Sequence, residues 1–187
     1  MRASTRVRRP CTARTSARGF SLVELCVSAA VFVLVAGAVC NAIVASAALN
    51  RTNRETVLAM QAAGSLLEEL KATPLEETFA RYNASKADDP GTGASPGPSF
   101  AVEGLNVVSD DPDGFAGEIE FPGDGTELRE DDDDLELGLP RDLSGDTQVD
   151  KNDHSGDYRL LPVRVTVRWT GKTGERSVDL VTVLNDP

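Results

Sequence analysis

The sequence predicts an α+β protein in which a long N-terminal helix, membrane-spanning in its first half, packs on a small C-terminal antiparallel β-sheet with long acidic loops. Residues 25–49 form an apolar run, residues 161–184 largely alternate apolar and polar side chains, and residues 82–99 are rich in glycine, proline and small polar residues. An apolar run of this length is typical of a membrane helix, and alternation with a period of two is typical of a strand with one buried face.

The apolar run contains nothing more polar than Ser28, Asn41 and Ser46. About 20 apolar residues suffice to cross a bilayer as a helix, and only a helix satisfies its own backbone hydrogen bonds in lipid. We therefore expect residues 20–49 to be a transmembrane helix.

The helical pattern continues beyond the apolar run into an amphipathic segment, residues 50–74. Apolar residues recur there at a spacing of three to four, which marks one buried face of a helix: Val57, Met60, Ala63, Leu67 and Leu70. Pro74 ends the pattern, because the residue before a proline disfavours the helical conformation. One helix is thus expected over residues 21–72.

The residues before the apolar run form a basic leader, residues 1–19. It holds six arginines and no acid, namely Arg2, Arg6, Arg8, Arg9, Arg14 and Arg18. This bias places the N-terminus in the cytoplasm and exports the C-terminal domain. A secretory signal peptide has a similar basic start, but its apolar core is shorter, at about 7 to 15 residues, and carries no acid near its start.

The motif Gly19-Phe20-Ser21-Leu22-Val23-Glu24, followed by the apolar run, resembles the processing and methylation motif of type IV prepilins and type II secretion pseudopilins. The resemblance implies that a prepilin peptidase cuts between Gly19 and Phe20 and that Phe20 is N-methylated. It also implies assembly with other pilins through the N-terminal helix at the inner membrane.

Glu24 is an acid close to the membrane span, where an ionised side chain costs on the order of a few kcal/mol unless it has a partner. A cut after Gly19 creates a partner, the free ammonium of Phe20. In the family this amine is thought to meet the Glu of a neighbouring subunit, which makes Glu24 an assembly residue. The alternative is that Glu24 stays at the interface and reaches water.

Charge and cysteine content exclude other classes of protein. The chain carries 19 basic and 30 acidic residues; without the six leader arginines 13 basic residues remain, which gives a net charge of −17. Such a domain will not bind nucleic acid through phosphate contacts, but it could bind cations. Cys11 lies in the leader and Cys26 and Cys40 lie in the membrane helix, so the exported domain, residues 75–187, has no disulfide or thiol nucleophile.

In the exported domain, strands are expected at 100–108 and 117–121, and a hairpin at 161–169 and 178–184 with a turn at 170–174. Arg164 and Arg168 are expected to face Asp179 and Glu175 across the hairpin. The acidic run at 130–134 is interpreted as a solvated loop. The C-terminal hairpin also resembles that of small minor pilins and minor pseudopilins.

Residues 142–153 resemble the calcium loop of dockerin modules. Oxygen ligands fall at the first, third, fifth, seventh, ninth and twelfth places, namely Asp142, Ser144, Asp146, the Gln148 carbonyl, Asp150 and Asp153. Thr147 occupies the sixth place, where glycine is usual, and no helix follows. A solvated acidic turn is the other interpretation.

Two functions remain open. The first is a structural subunit, a minor component of a type IV pilus or a type II secretion pseudopilus, because strongly acidic copies would repel one another if stacked alone. The second is a membrane-anchored calcium-dependent binding module that forms no filament. We expect no enzyme: His154, the only histidine, has no evident nucleophile or orienting partner and is interpreted as a polar loop residue.

Overall fold

The computed structural model of this protein describes residues 19, 21–91 and 95–185. The leader up to residue 18, with Cys11, lies outside the described residues, and so does Phe20, at which the predicted cut and methylation fall. The chain divides into two compact units between Ala47 and Ala48.

Helix α1, Leu22–Ala72, is the long helix that the sequence predicts. From its start to Asn50 its side chains are exposed, with only Ala36 half-buried. By length and composition this helix can cross a membrane. The apolar residues of its first half therefore have no covering within their own unit.

The second unit contains the remaining elements. They are a short helix α2, Leu75–Tyr82, and four strands, β1 Ser99–Phe100, β2 Gly117–Glu120, β3 Leu160–Gly171 and β4 Gly174–Asn185. The strands form one antiparallel sheet in the order β1-β2-β3-β4. The second half of α1 packs on this sheet, which confirms the predicted α+β fold.

The face of α1 that packs on the sheet agrees with the prediction at Ala63 and Leu70, which are buried, and at Leu67, which packs against the core. Ala59 is also buried, whereas Val57 and Met60 are about half exposed, at 50% and 52%. The prediction for Val57 and Met60 was wrong because the helix turns its alanines toward the sheet instead. Alanine is a weak apolar signal in a sequence, but its small side chain lets a helix approach a sheet closely. The core is completed by α2, the connection between β2 and β3, and the apolar face of β3, which carries Leu161, Val163, Val165, Val167 and Trp169.

The C-terminal hairpin has the predicted alternation, but its arginines have other partners. Thr166 and Thr170, not the arginines, lie opposite Asp179 and Glu175. Arg164 instead pairs with Glu120 at 2.9 Å and with Asp134 at 2.9 Å, and Arg168 pairs with Glu118 on β2 at 2.8 Å. The predicted pairing was therefore wrong, and the arginines on the polar face of β3 pair with acids of β2 and of the acidic run.

Two further elements differ from expectation. The strand expected over 100–108 is limited to the two residues of β1, because Phe100 already pairs with Gly117, the first residue of β2. The chain then turns at Gly104, which has a φ of 87°. Helix α2 had not been predicted. It is tied to the sheet side by Tyr158, whose hydroxyl accepts the Phe79 N–H at 3.2 Å and donates to the Leu75 carbonyl.

Leu70→Ala should destabilise the second unit by roughly 2–5 kcal/mol, since a fully buried leucine leaves a cavity. Met60→Ala is the matched control on the same helix, and its half-exposed side chain should cost less than about 1 kcal/mol. Urea unfolding followed by the fluorescence of Trp169, the only tryptophan, measures both. Equal losses in the two variants would show that the buried face is assigned incorrectly.

Candidate functional site

The connection between β2 and β3 carries 13 of the 30 acidic residues of the chain. Residues 121–159, all of which the structure describes, form no helix or strand. Backbone N–H groups without a partner in regular structure need other acceptors, and carboxylates supply many of them here. Asp124, for example, accepts the N–H groups of Thr126 and Glu127 at 2.9 and 3.0 Å.

Glu130 is not solvated, contrary to the interpretation of the run 130–134. Its side chain is buried, with a residue exposure of 0%. Oε1 accepts the N–H groups of Leu143 at 2.6 Å and Ser144 at 2.9 Å. Oε2 is buried and has no hydrogen-bond partner in the described protein. These hydrogen bonds join Glu130 to residues 13 and 14 positions later in the chain and hold its carboxylate in the interior. The run of acidic residues at 130–134 does not predict them.

His154 lies beside Glu130 and is also buried, with 5% exposure. Its Nδ1 is 3.0 Å from Asp157 Oδ1 and its Nε2 is 3.2 Å from Asp150 Oδ1. Nε2 is also 3.6 Å from Glu130 Oε2. Burial alone would lower the pKa of His154, but the hydrogen bonds to Asp157 and Asp150 and the charge of Glu130 raise it above its ordinary value.

Glu130, Asp150 and His154 could together hold a metal ion. Each offers one ligand atom, and these atoms lie within 4.8 Å of one another. Asp150 is the one member that belongs to the ligand set predicted from the sequence. The signal that sequence reasoning missed is the spacing of Asp150 and His154, four residues apart, with an aspartate three residues after the histidine.

The first half of the predicted calcium loop forms a tight turn. Asp142 accepts the N–H of Gly145 on Oδ1 at 2.5 Å and that of Thr147 on Oδ2 at 2.7 Å, and Ser144 Oγ donates to Oδ1 at 3.3 Å. Thr147 has a φ of 72°, the left-handed conformation expected at the sixth place. Asp146 Oδ1 accepts the Gln148 N–H at 2.8 Å.

The second half of the loop turns to other partners. Asp150 contacts His154, as described, and Asp153 Oδ1 accepts the N–H groups of Leu128 and Ser155, both at 3.0 Å. The predicted ligands are therefore not brought together: Asp142, Ser144 and Asp146 belong to the turn, whereas Asp150 contacts His154 and Asp153 contacts backbone N–H groups.

The predicted assembly segment lies in the other unit. Gly19 and Glu24 are both exposed, and Glu24 lies in the first turn of α1. Within the described part of the chain, Glu24 forms no salt bridge.

No family model, curated protein or solved structure matches this chain. The resemblance to prepilins therefore rests on the motif at residues 19–24 and the apolar run that follows.

Glu130→Ala should destabilise the second unit by about 2–4 kcal/mol, because it leaves the buried N–H groups of Leu143 and Ser144 without an acceptor. Glu130→Gln retains an acceptor oxygen and should cost less. Asp133→Asn, at an exposed position of the same run, should stay within about 0.5 kcal/mol of the unchanged protein. Urea unfolding is the measurement, and a Glu130→Ala protein as stable as Asp133→Asn would contradict the structural role of this carboxylate.

Proposed function

We propose that this chain is a structural subunit, a minor component of a type IV pilus or of a type II secretion pseudopilus. A prepilin peptidase would cut it after Gly19 and Phe20 would be N-methylated. It would be held in the inner membrane by α1, with its C-terminal domain exported. The observation that carries the proposal is the acid Glu24, five residues after a glycine and in the first turn of a helix whose first half exposes its apolar side chains.

The exposed first half of α1 supports assembly. Its large apolar side chains include Phe32, which is 73% exposed, and Leu34, which is 74% exposed. A surface of this kind requires lipid or other helices to cover it. The same segment can serve in both environments, first in the bilayer and then among neighbouring pilin helices.

The charge of Glu24 would make this packing specific for a neighbour that carries a positive charge. In an apolar environment its carboxylate needs a positive partner, and its own described chain supplies none. The N-terminal ammonium made by a cut after Gly19 would have the required charge. If that ammonium belongs to the next subunit, pairing neutralises two charges at each step of assembly.

Processing is tested by mass spectrometry of the N-terminus after expression with a prepilin peptidase. We expect a chain that begins with methylated Phe20. Recovery of an intact Met1 terminus, or a cut elsewhere, would remove the basis of the proposal. Expression without the peptidase is the control and should leave the chain uncut.

Glu24→Gln should reduce co-assembly with partner pilins by at least about tenfold, since loss of a charge pair worth more than about 1.4 kcal/mol has that effect. Cleavage after Gly19 should continue. Ser28→Ala, one turn further along α1, is the matched control and should assemble normally. Recovery of sheared filaments or cross-linked complexes measures the effect. Normal assembly of Glu24→Gln would contradict the role of Glu24 in assembly, and failure of the unchanged chain to co-assemble would favour a membrane protein that forms no filament.

The second candidate is a membrane-anchored module that binds calcium through residues 142–153. The turn in which Asp142 accepts the N–H groups of Gly145 and Thr147, with Thr147 left-handed, favours this candidate. Calcium binding would require Asp150 and Asp153 to exchange their present partners for the ion, since calcium takes six to eight oxygens.

Isothermal titration of calcium into the full chain in detergent tests the calcium loop. Binding at millimolar calcium or below, weakened at least about tenfold by Asp146→Asn, is the expected result. Asp157→Asn, outside the six predicted ligands, is the control. The absence of heat at millimolar calcium would end this candidate.

A further inference from the structure

Three electron-pair donors converge beside the buried end of Glu130. They are Glu130 Oε2, Asp150 Oδ1 and the Nε2 atom of His154, which lies 3.6 Å from the first and 3.2 Å from the second. Asp157 lies 3.0 Å from the opposite ring nitrogen, Nδ1, and can accept its proton. When the neutral ring carries its proton on Nδ1, Nε2 presents a lone pair to two carboxylates, an arrangement that requires a positive charge between them.

A proton on Nε2 satisfies this requirement only in part. It can be donated to Asp150 at 3.2 Å, but the 3.6 Å to Glu130 Oε2 is too long for a hydrogen bond. Glu130 Oε2 then remains buried without a hydrogen bond, although its residue has 0% exposure. A buried carboxylate oxygen left in this state is costly. A cation that binds all three atoms leaves none of them unsatisfied.

The distances match the coordination sphere of a small divalent metal ion. Ligands about 2.0–2.2 Å from a tetrahedral centre are separated from one another by roughly 3.3–3.6 Å. Two of the three separations between ligand atoms, 3.2 and 3.6 Å, lie close to this range. All three ligand atoms lie within 4.8 Å of one another.

We propose that Glu130, Asp150 and His154 form a binding site for a divalent transition-metal ion of the zinc class. One imidazole nitrogen and two carboxylate oxygens are ligands that zinc accepts, whereas calcium and magnesium prefer oxygen alone. The site is distinct from the turn around Asp142, and it depends on neither processing nor filament assembly.

Neighbouring groups hold these ligands in place. Asp157 orients the imidazole through Nδ1, as outer carboxylates do for metal-bound histidines. The N–H groups of Leu143 and Ser144 fix Glu130 through Oε1 and leave Oε2 for the ion. The Asp150 side chain is 40% exposed, so the ion can enter from solvent and complete its coordination with water.

Because His154 is the only histidine, its ring signals in a nuclear magnetic resonance spectrum report on this site alone. The experiment titrates zinc chloride into the full chain in detergent, purified without a histidine tag. We expect the ring signals to shift and to saturate at about one equivalent of zinc. Asp150→Asn should weaken this binding at least about tenfold, and Asp157→Asn by about 10- to 100-fold.

Asp150→Asn alters a half-exposed side chain and is expected to fold, which circular dichroism verifies. Asp146→Asn is the matched control: it alters an acid of the same loop outside the site and should leave zinc binding unchanged. Ring signals that do not respond to zinc up to about 100 µM would overturn the proposal. Equal zinc affinity in Asp150→Asn, Asp146→Asn and the unchanged chain would also overturn it, since it would indicate diffuse binding to acidic surface.

Discussion

Hydrogen bonds from backbone N–H groups to carboxylates are the interaction on which the fold of the second unit depends. The connection of residues 121–159 has no strand or helix to pair its backbone, and all of it is described. Buried backbone donors must be paired, and aspartate and glutamate side chains supply acceptors at short range and at long range. Glu130 brings Leu143 and Ser144 to one point, and Asp153 holds Leu128 from 25 positions away.

This use of carboxylates explains why a strongly acidic chain can build a folded connection. A carboxylate that accepts backbone N–H groups remains ionised, as at Asp124, where hydrogen bonds from Thr126 and Glu127 lower its pKa to about 2. The negative charge then accumulates in the domain. The guanidinium of Arg164, which contacts three carboxylates, compensates part of this charge. The divalent ion proposed beside His154 would compensate a further part.

Elements whose signal is periodic could be predicted from the sequence. The alternation on β3 specified which side chains enter the core, and the long apolar and amphipathic run specified α1. The partners of Arg164 could not be predicted in the same way. From the sequence, only the adjacent strand of the hairpin is an evident source of partners. The acids that pair with Arg164 instead belong to β2 and to residues 134–136, and residues 134–136 precede Arg164 by about 30 positions.

The ligands of the candidate metal site could not be predicted from the local sequence either. The spacing of acids in residues 142–153 encodes a local loop, and its first half does form the expected turn at Asp142 and Thr147. A local pattern specifies a complete ligand set only if none of its members has a better partner elsewhere. Asp150 has one in His154, and Asp153 has one in the Leu128 N–H. Because both partners are fixed by the packing around Glu130, the ligand set follows from the fold of the whole connection.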